Sequence, residues 1–238
     1  MITVDFHCLN LPAGSRILDI GCGSGRHVAA AYALERADVI GADPSLQDLK
    51  QAQTRMHYHD QLGIHGKGRW HLTGGDVTSL PFADNSFDLV VCSEVLEHIP
   101  DHQRAITEIV RVLKTDRHLV VSVPRRWPEK LCWLSHAYGH MPGGHIRIYR
   151  AADLVQRVQS RGLRHWRTHF AHSLHTPYWW LKCLVGLHHN DFWAVRLYHR
   201  FLTWDIMQRP RLTRVLDDIL NPLLGKSVVL YFYKPLQR

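Results

Sequence analysis

The chain has 238 residues, 45% of them hydrophobic and 21% charged. That length buries a full core, and that composition excludes wholesale disorder. The net charge of +8 is unevenly spread: residues 1–120 carry 11 basic and 15 acidic side chains, residues 121–238 carry 18 and 6, and seven of the eight Trp lie beyond residue 120. An acidic half is followed by a basic, Trp-rich half, and this split in composition points to a split in labour.

Five cysteines (Cys8, Cys22, Cys92, Cys132, Cys183) form no C-x-x-C pair. An odd number at wide spacing argues against a disulfide framework or a zinc ribbon and for a reducing, cytoplasmic setting. No basic segment followed by an apolar run opens the sequence, so no secretory signal is expected. The nearest approach to a membrane span, Tyr178 to Leu187, is interrupted by Lys182 and is shorter than the ~18 residues required. There is no internal repeat.

Along the chain, Arg16–Ile20 is a short apolar run closed by Gly21 and predicts a buried parallel strand. A helix is expected from Gly25 to about Arg36, and a second strand over 37–42. Asp43-Pro44-Ser45 offers capping chemistry for a helix through Leu46, Leu49 and Ala52. Trp70–Leu72 reads as a weaker third strand and Phe87–Cys92 as a fourth. Asp101 caps a helix in which Ala105, Ile106, Ile109, Val110 and Leu113 share one face, and His118–Val123 is the fifth strand. A helix from Ala151 to about Arg161, a strand over 163–170 and a last strand over 227–233 complete the series. Such alternation predicts an open parallel sheet with ligands at the carboxyl ends of its strands.

The loops after those strands carry the chemistry. Leu18-Asp19-Ile20-Gly21-Cys22-Gly23-Ser24-Gly25 sets three glycines at alternate positions between strand and helix. They permit a tight turn, let a ligand approach the backbone, and open a helix whose N–H groups face the site. A glycine-rich turn alone is also an ordinary structural turn. Asp43 follows 18 residues after Gly25, where a carboxylate can accept both hydroxyls of a ribose. Gly75-Asp76-Val77 follows the third strand, and Ser93-Glu94-Val95-Leu96-Glu97-His98 leads out of the fourth.

With these segments the sequence resembles the class I S-adenosylmethionine-dependent methyltransferases, above all the broad subgroup of ubiquinone/menaquinone-type and small-molecule enzymes. The likeness spans about residues 14–123 through specific motifs, and 145–170 more loosely. It implies one α/β domain over 1–238: a Rossmann-like, doubly wound sheet of seven strands with the last antiparallel. Residues 14–123 would be the cofactor core. The implied cofactor is S-adenosyl-L-methionine, released as S-adenosyl-L-homocysteine. By resemblance Asp19 and the turn Gly21, Cys22, Gly23 and Gly25 would hold its methionine part. Asp43 would hold the ribose, with Pro44 and Ser45 beside it, and Asp76 and Val77 the adenine. Ser93, Glu94 and Val95 would lie beside the methionyl group. A nicotinamide-dependent oxidoreductase is the nearest competing fold, but its G-x-G-x-x-G spacing is not met, since Arg26 stands at the sixth position.

The second half should choose the acceptor. Residues 171–226 form a 56-residue insertion containing Tyr178-Trp179-Trp180, Phe192-Trp193, Tyr198, Phe201 and Trp204 interleaved with Arg196, Arg200, Arg209, Arg211 and Arg214. Its plain reading is a helical subdomain that buries those aromatics. Its functional reading is a substrate cap, shared with residues 124–144, over a site preceded by only about 15 residues. An aromatic cavity with a basic rim suits a small-molecule or lipid-like acceptor, with an anionic group as one option. Residues 178–214 also suit peripheral contact with a membrane. A nucleic-acid acceptor is disfavoured because no Asn/Asp-Pro-Pro-aromatic sequence follows the fourth strand. A non-catalytic module is disfavoured by the intact glycine turn and acidic residues. Methyl transfer needs alignment and, for some acceptors, a base. The candidates are His145, then His98 and His140, with Tyr149 following in the same segment. No metal is expected, because neither His169/His172/His175 nor His136/His140/His145 has good ligand spacing.

Overall fold

Short, mostly apolar runs become the centre of a seven-stranded sheet. The structure is a computed structural model that describes residues 2–139, 144–208 and 210–236. In chain order it contains β1 (Arg16–Ile20), α1 (Arg26–Tyr32), β2 (Asp38–Asp43), α2 (Leu46–Gln61), β3 (Arg69–Gly74), β4 (Phe87–Ser93), α3 (His102–Val112) and β5 (Leu113–Pro124). There follow α4 (Arg126–Trp133), a single turn α5 (His136–Gly139), α6 (Ala151–Gln159), β6 (Arg164–Ala171), α7 (Thr176–Val185), α8 (Trp193–Gln208), α9 (Arg211–Leu224) and β7 (Ser227–Lys234). The strand order is β3-β2-β1-β4-β5-β7-β6. β7 runs antiparallel to both of its neighbours, and the other pairings are parallel. This is the sheet that the sequence predicts.

Burial follows position. β1, β4 and β7 are buried almost throughout, whereas the edge strands β3 and β6 alternate with solvent. One face packs α3 and α6 through Ile106, Ile109, Leu154 and Val158. The other packs α1, α2 and the N-terminal segment through Val28, Met56, Phe6 and Leu9. Ile20 pairs with both Ala42 and Cys92, so the carboxyl ends of β1, β2 and β4 lie level. The three loops that carry the motif residues therefore share one edge.

Two boundaries differ from expectation by more than two residues, each for a local reason. α1 ends at Tyr32 because the carbonyl of Tyr32 accepts from Gly66 N–H and Arg36 N–H donates to the Gly66 carbonyl, so a passing loop replaces the next helical turn. β5 begins at Leu113, five residues early, across a polar stretch. There Asp88 accepts from Lys114 Nζ at 2.9 Å and Arg117 Nε at 2.8 Å, which holds those charged residues against β4.

The insertion is helical, as its spacing predicts, but its aromatics are not swallowed by a core of their own. α8 buries Val195, Leu202 and Asp205, while Trp193 is 66% exposed and Trp204 49%. A groove of 570 Å³ runs between Leu181 of α7 and Trp193, Leu197, Phe201 and Trp204 of α8. α9 is turned inside out. It buries Thr213 and directs Asp217 and Asn221 inward, where they bind Ser173. Leu212, Val215, Leu216, Ile219 and Leu223 form one exposed apolar stripe.

Candidate active site

Three left-handed glycines make the turn after β1: Gly21, Gly23 and Gly25 have φ of 64°, 50° and 76°. A Cβ on Gly21 would strike Val95, which seals the turn against the loop after β4, whereas a Cβ on Gly23 would meet nothing within 4 Å. The backbone is therefore bare at Gly23 and packed on either side of it. Asp43, buried at the end of β2, accepts Gly23 N–H on one oxygen and Ser45 N–H on the other, both at 2.8 Å. It fastens the turn to the start of α2, and each oxygen keeps a second lone pair. Ser45 caps α2 by accepting from Asp48 N–H, and Pro44 is exposed.

Asp19 lies in β1, two residues before this turn. Its Oδ2 is buried and has no hydrogen-bond partner. Burial pushes its carboxyl up to about 8, against the opposing influence of the Arg26 guanidinium and the Val28 N–H. Cys22 is buried, and its thiol is pushed far up by burial and by the nearby Asp19 and Asp43. Asp76 is exposed and accepts from both Thr78 N–H and the Thr78 hydroxyl, which hold its carboxyl below its usual range. Val77 instead points into the core beside Leu80. In the loop after β4 the hydroxyls of Ser93 and Ser122 bond at 2.8 Å, and Ser122 also donates to Glu94 Oε1 at 3.0 Å. Glu94 itself is left-handed, with φ of 57°.

The structure brings His98 and His145 together, with ring centroids 4.9 Å apart at 65°. His145 Nδ1 lies 2.5 Å from Glu129 Oε1 on α4. Glu129 is 3% exposed and also accepts from Trp133 Nε1 at 3.1 Å and the Tyr138 hydroxyl at 3.3 Å. Burial raises its carboxyl, but the His145 hydrogen bond and charge, with Lys226, hold it below its ordinary value. Glu97 is buried with neither oxygen hydrogen-bonded, and burial followed by the charge of Glu94 pushes it well up. Tyr149 does not join this pair. Its hydroxyl turns to His102 Nδ1 and to the Leu96 carbonyl, and burial raises it to about 12. His140 lies outside the described residues.

The segment 126–139 and the insertion meet at this cluster. Tyr138 stands between His145 and Trp179 of α7, with ring centroids at 6.3 and 6.0 Å. Trp180 Nε1 donates to the Pro128 carbonyl, and the ammonium of Lys226 lies 5.1 Å above the Trp179 ring. His169 in β6 and His172 just after it have another task. Thr3 bonds His172 through its hydroxyl and His169 through its carbonyl, and Thr3 N–H donates to His27 Nε2 at 3.1 Å.

Sequence reasoning missed Glu129, Glu97 and Arg147. Glu129 carried one signal, a lone carboxylate in the apolar stretch Trp127 to Trp133. Arg147 donates to the carbonyls of Leu96, Ile99 and Pro100 and so staples the loop after β4 to the segment that carries His145. Nothing in the sequence marks it for that task.

Residues 18–121 match the family model described as a methyltransferase domain. The chain is 38% identical over 114 residues to a demethylmenaquinone methyltransferase of Lactiplantibacillus plantarum, over 47% of this chain and 46% of that protein. It is 32% identical over 114 residues to the methyltransferase GfsG of Streptomyces halstedii, over 48% of this chain and 39% of that one. The chain thus spans less than half the length of these two relatives. Among solved structures, YcgJ from Bacillus subtilis superposes with a TM-score of 0.62 at 17% identity, over 97% of this chain and 96% of that one. SpnF, whose structure is described as that of a [4+2]-cyclase, superposes at 0.61 and 21% identity over 95% and 77%. Both structural likenesses are of fold. The matched residues 18–121, which include the glycine turn and the strands that form its edge, are thus similar in sequence to a methyltransferase domain.

Proposed function

We propose that this chain transfers the methyl group of S-adenosylmethionine to a small-molecule or lipid-like acceptor. The observation that carries this reading is the buried, unpartnered Oδ2 of Asp19, two residues before a left-handed turn whose backbone is bare at Gly23. A buried carboxylate without a partner costs free energy unless a donor or a cation arrives. The ammonium group of a methionine moiety has that chemistry. Asp43 and the loop of Ser93, Glu94 and Val95 would complete the cradle, with Asp76 at its rim. When bound, the cofactor supplies a methyl already activated on a sulfonium.

The chain's own contribution is then alignment and exclusion of water. His145, held by Glu129, and His98 beside it would form the acceptor end, where a nucleophile's proton is taken up. Tyr149 is assigned a positioning role through His102 and Leu96. The cap reading is supported by the run of rings from His145 through Tyr138 to Trp179. S-Adenosylhomocysteine titrated into the protein should bind in the micromolar range, and binding no tighter than millimolar removes the reading. Labelled S-adenosylmethionine with a panel of small acceptors and lipid extracts then identifies the class.

A membrane-associated form of this reading is favoured by the exposed apolar stripe on α9 and the Trp-lined groove on α8. Exposed Arg196, Arg200 and Arg211 flank these faces and suit anionic headgroups. Among the described residues no helix is long and apolar enough to cross a membrane.

A further inference from the structure

We propose that Glu97, His98 and His145 bind a divalent transition-metal ion at the acceptor end of the site. One donor atom from each of these residues lies within 4.8 Å of the others, and this is the one such group among the described residues. The set consists of two imidazoles and a carboxylate, which suits Mn²⁺, Fe²⁺ or Zn²⁺ better than Mg²⁺ or Ca²⁺.

Three independent features mark the set as built for an ion. Glu97 is 1% exposed with both oxygens lacking a hydrogen bond, and an ion is a partner that would satisfy such a group. His145 Nδ1 faces Glu129 Oε1 at 2.5 Å, a buried carboxylate behind an imidazole as in carboxylate–histidine–metal triads. His98 Nδ1 faces the Gly144 carbonyl at 3.2 Å, which orients its ring from the segment that carries His145. The donors come from two segments far apart in sequence, and Arg147 and the Ile146 N–H bond to the Glu97 carbonyl tie those segments together. The ligand geometry is therefore fixed by the backbone.

The proposed role of the ion rests on the methyltransferase reading, although its binding does not. An ion at this place would take the acceptor hydroxyl as a further ligand and lower its pKa. The O–H bond then breaks with its proton released to solvent, the oxygen–methyl bond forms as the sulfonium–methyl bond breaks, and the thioether leaves. His145 would serve as a ligand in that state, and the ion would take over acidification of the acceptor.

The test titrates Mn²⁺ into tag-free full-length protein. Free Mn²⁺ is followed by electron paramagnetic resonance and binding by calorimetry, each with and without S-adenosylhomocysteine. The expected result is one site tighter than ~100 µM, weakened ~10-fold or more by His98→Gln or His145→Gln and ~10-fold by Glu129→Gln. S-Adenosylhomocysteine affinity should stay within about twofold in these variants, which also shows that they fold. Millimolar Mn²⁺ binding by the wild type overturns the proposal, as does binding that survives both histidine substitutions. Loss of S-adenosylhomocysteine binding with Mn²⁺ binding intact would instead remove the methyltransferase reading and leave the metal site standing.

Discussion

At the residue scale the carboxylates divide by environment. Asp43 is buried but satisfied by two backbone N–H groups, whereas Asp19 is buried with one oxygen bare. Because the folded carboxyl of Asp19 is raised to about 8, ionisation in the unfolded chain costs stability progressively from about pH 4 upward until the folded value is reached. Asp19→Asn should therefore raise the stability of the ligand-free protein at pH 7.5 by roughly 5 kcal/mol while weakening S-adenosylmethionine binding ~10-fold or more. Thermal unfolding and calorimetry on one preparation measure both, and an unchanged affinity would exclude Asp19 from the cofactor site. At the acceptor end, His145→Gln should reduce turnover ~100-fold with S-adenosylmethionine affinity within about twofold. Glu129→Gln should follow in the same direction by a smaller factor, since Glu129 acts through the imidazole. Equal turnover in wild type and His145→Gln at saturating acceptor would release His145 from the reaction. The family resemblance of the glycine motif singled out Asp19 as a candidate, but no motif in the sequence singled out Glu129. Position explains the difference, because Asp19 stands inside the motif itself, two residues before Gly21, while Glu129 meets a residue 16 positions away through tertiary packing.

At the element scale the strands and most helices follow their apolar periodicity, and the departures have nameable causes. α1 stops where the loop at Gly66 takes over its last carbonyl, and β5 starts early because Asp88 holds Lys114 and Arg117. The end of β6 shows histidines used to fasten another part of the chain. His169 and His172 hold the N-terminal segment through Thr3, together with His27 from α1. Burial lowers His27 to about 3 and His175 to about 4, and lowers His172 well below its ordinary value. An unfolded histidine titrates near ~6.5. The unfolded chain therefore gains protons that the folded chain refuses, so stability is full above about pH 6.5 and falls as the pH drops below it. His27 alone should account for about 2 kcal/mol of loss between pH 7 and pH 5. His27→Gln, which keeps an acceptor for Thr3 N–H, should flatten that decline by the same amount. Urea unfolding curves at pH 7, 6 and 5 provide the check, and an unchanged slope in the variant would place the acid sensitivity elsewhere.

At the scale of the whole molecule the uneven charge of the sequence acquires a structural counterpart. The acidic half builds the sheet edge with its carboxylates, and the basic half builds α4 to α9 around it. The apolar stripe of Leu212, Val215, Leu216, Ile219 and Leu223 faces outward, because Asp217 and Asn221 on the opposite side bind Ser173. If that stripe meets a bilayer, the protein should co-sediment with vesicles rich in anionic lipid at low salt, and Leu216→Glu with Ile219→Glu should reduce the bound fraction at least about fivefold. Both positions are solvent-exposed, so the fold should tolerate the change, and equal sedimentation of wild type and variant would assign the stripe to another partner. By itself the sequence determined the parallel sheet, the glycine turn and the acidic residues at the strand ends. Short-range periodicity and turn chemistry act over a few residues, and one strand with its loop contains all the information they need. Only the tertiary structure decided which histidines meet, that Glu97 and Glu129 stand beside them, and that α9 turns its apolar side outward. Those relations join residues distant in the chain, and they depend on buried polar partners that no local pattern records.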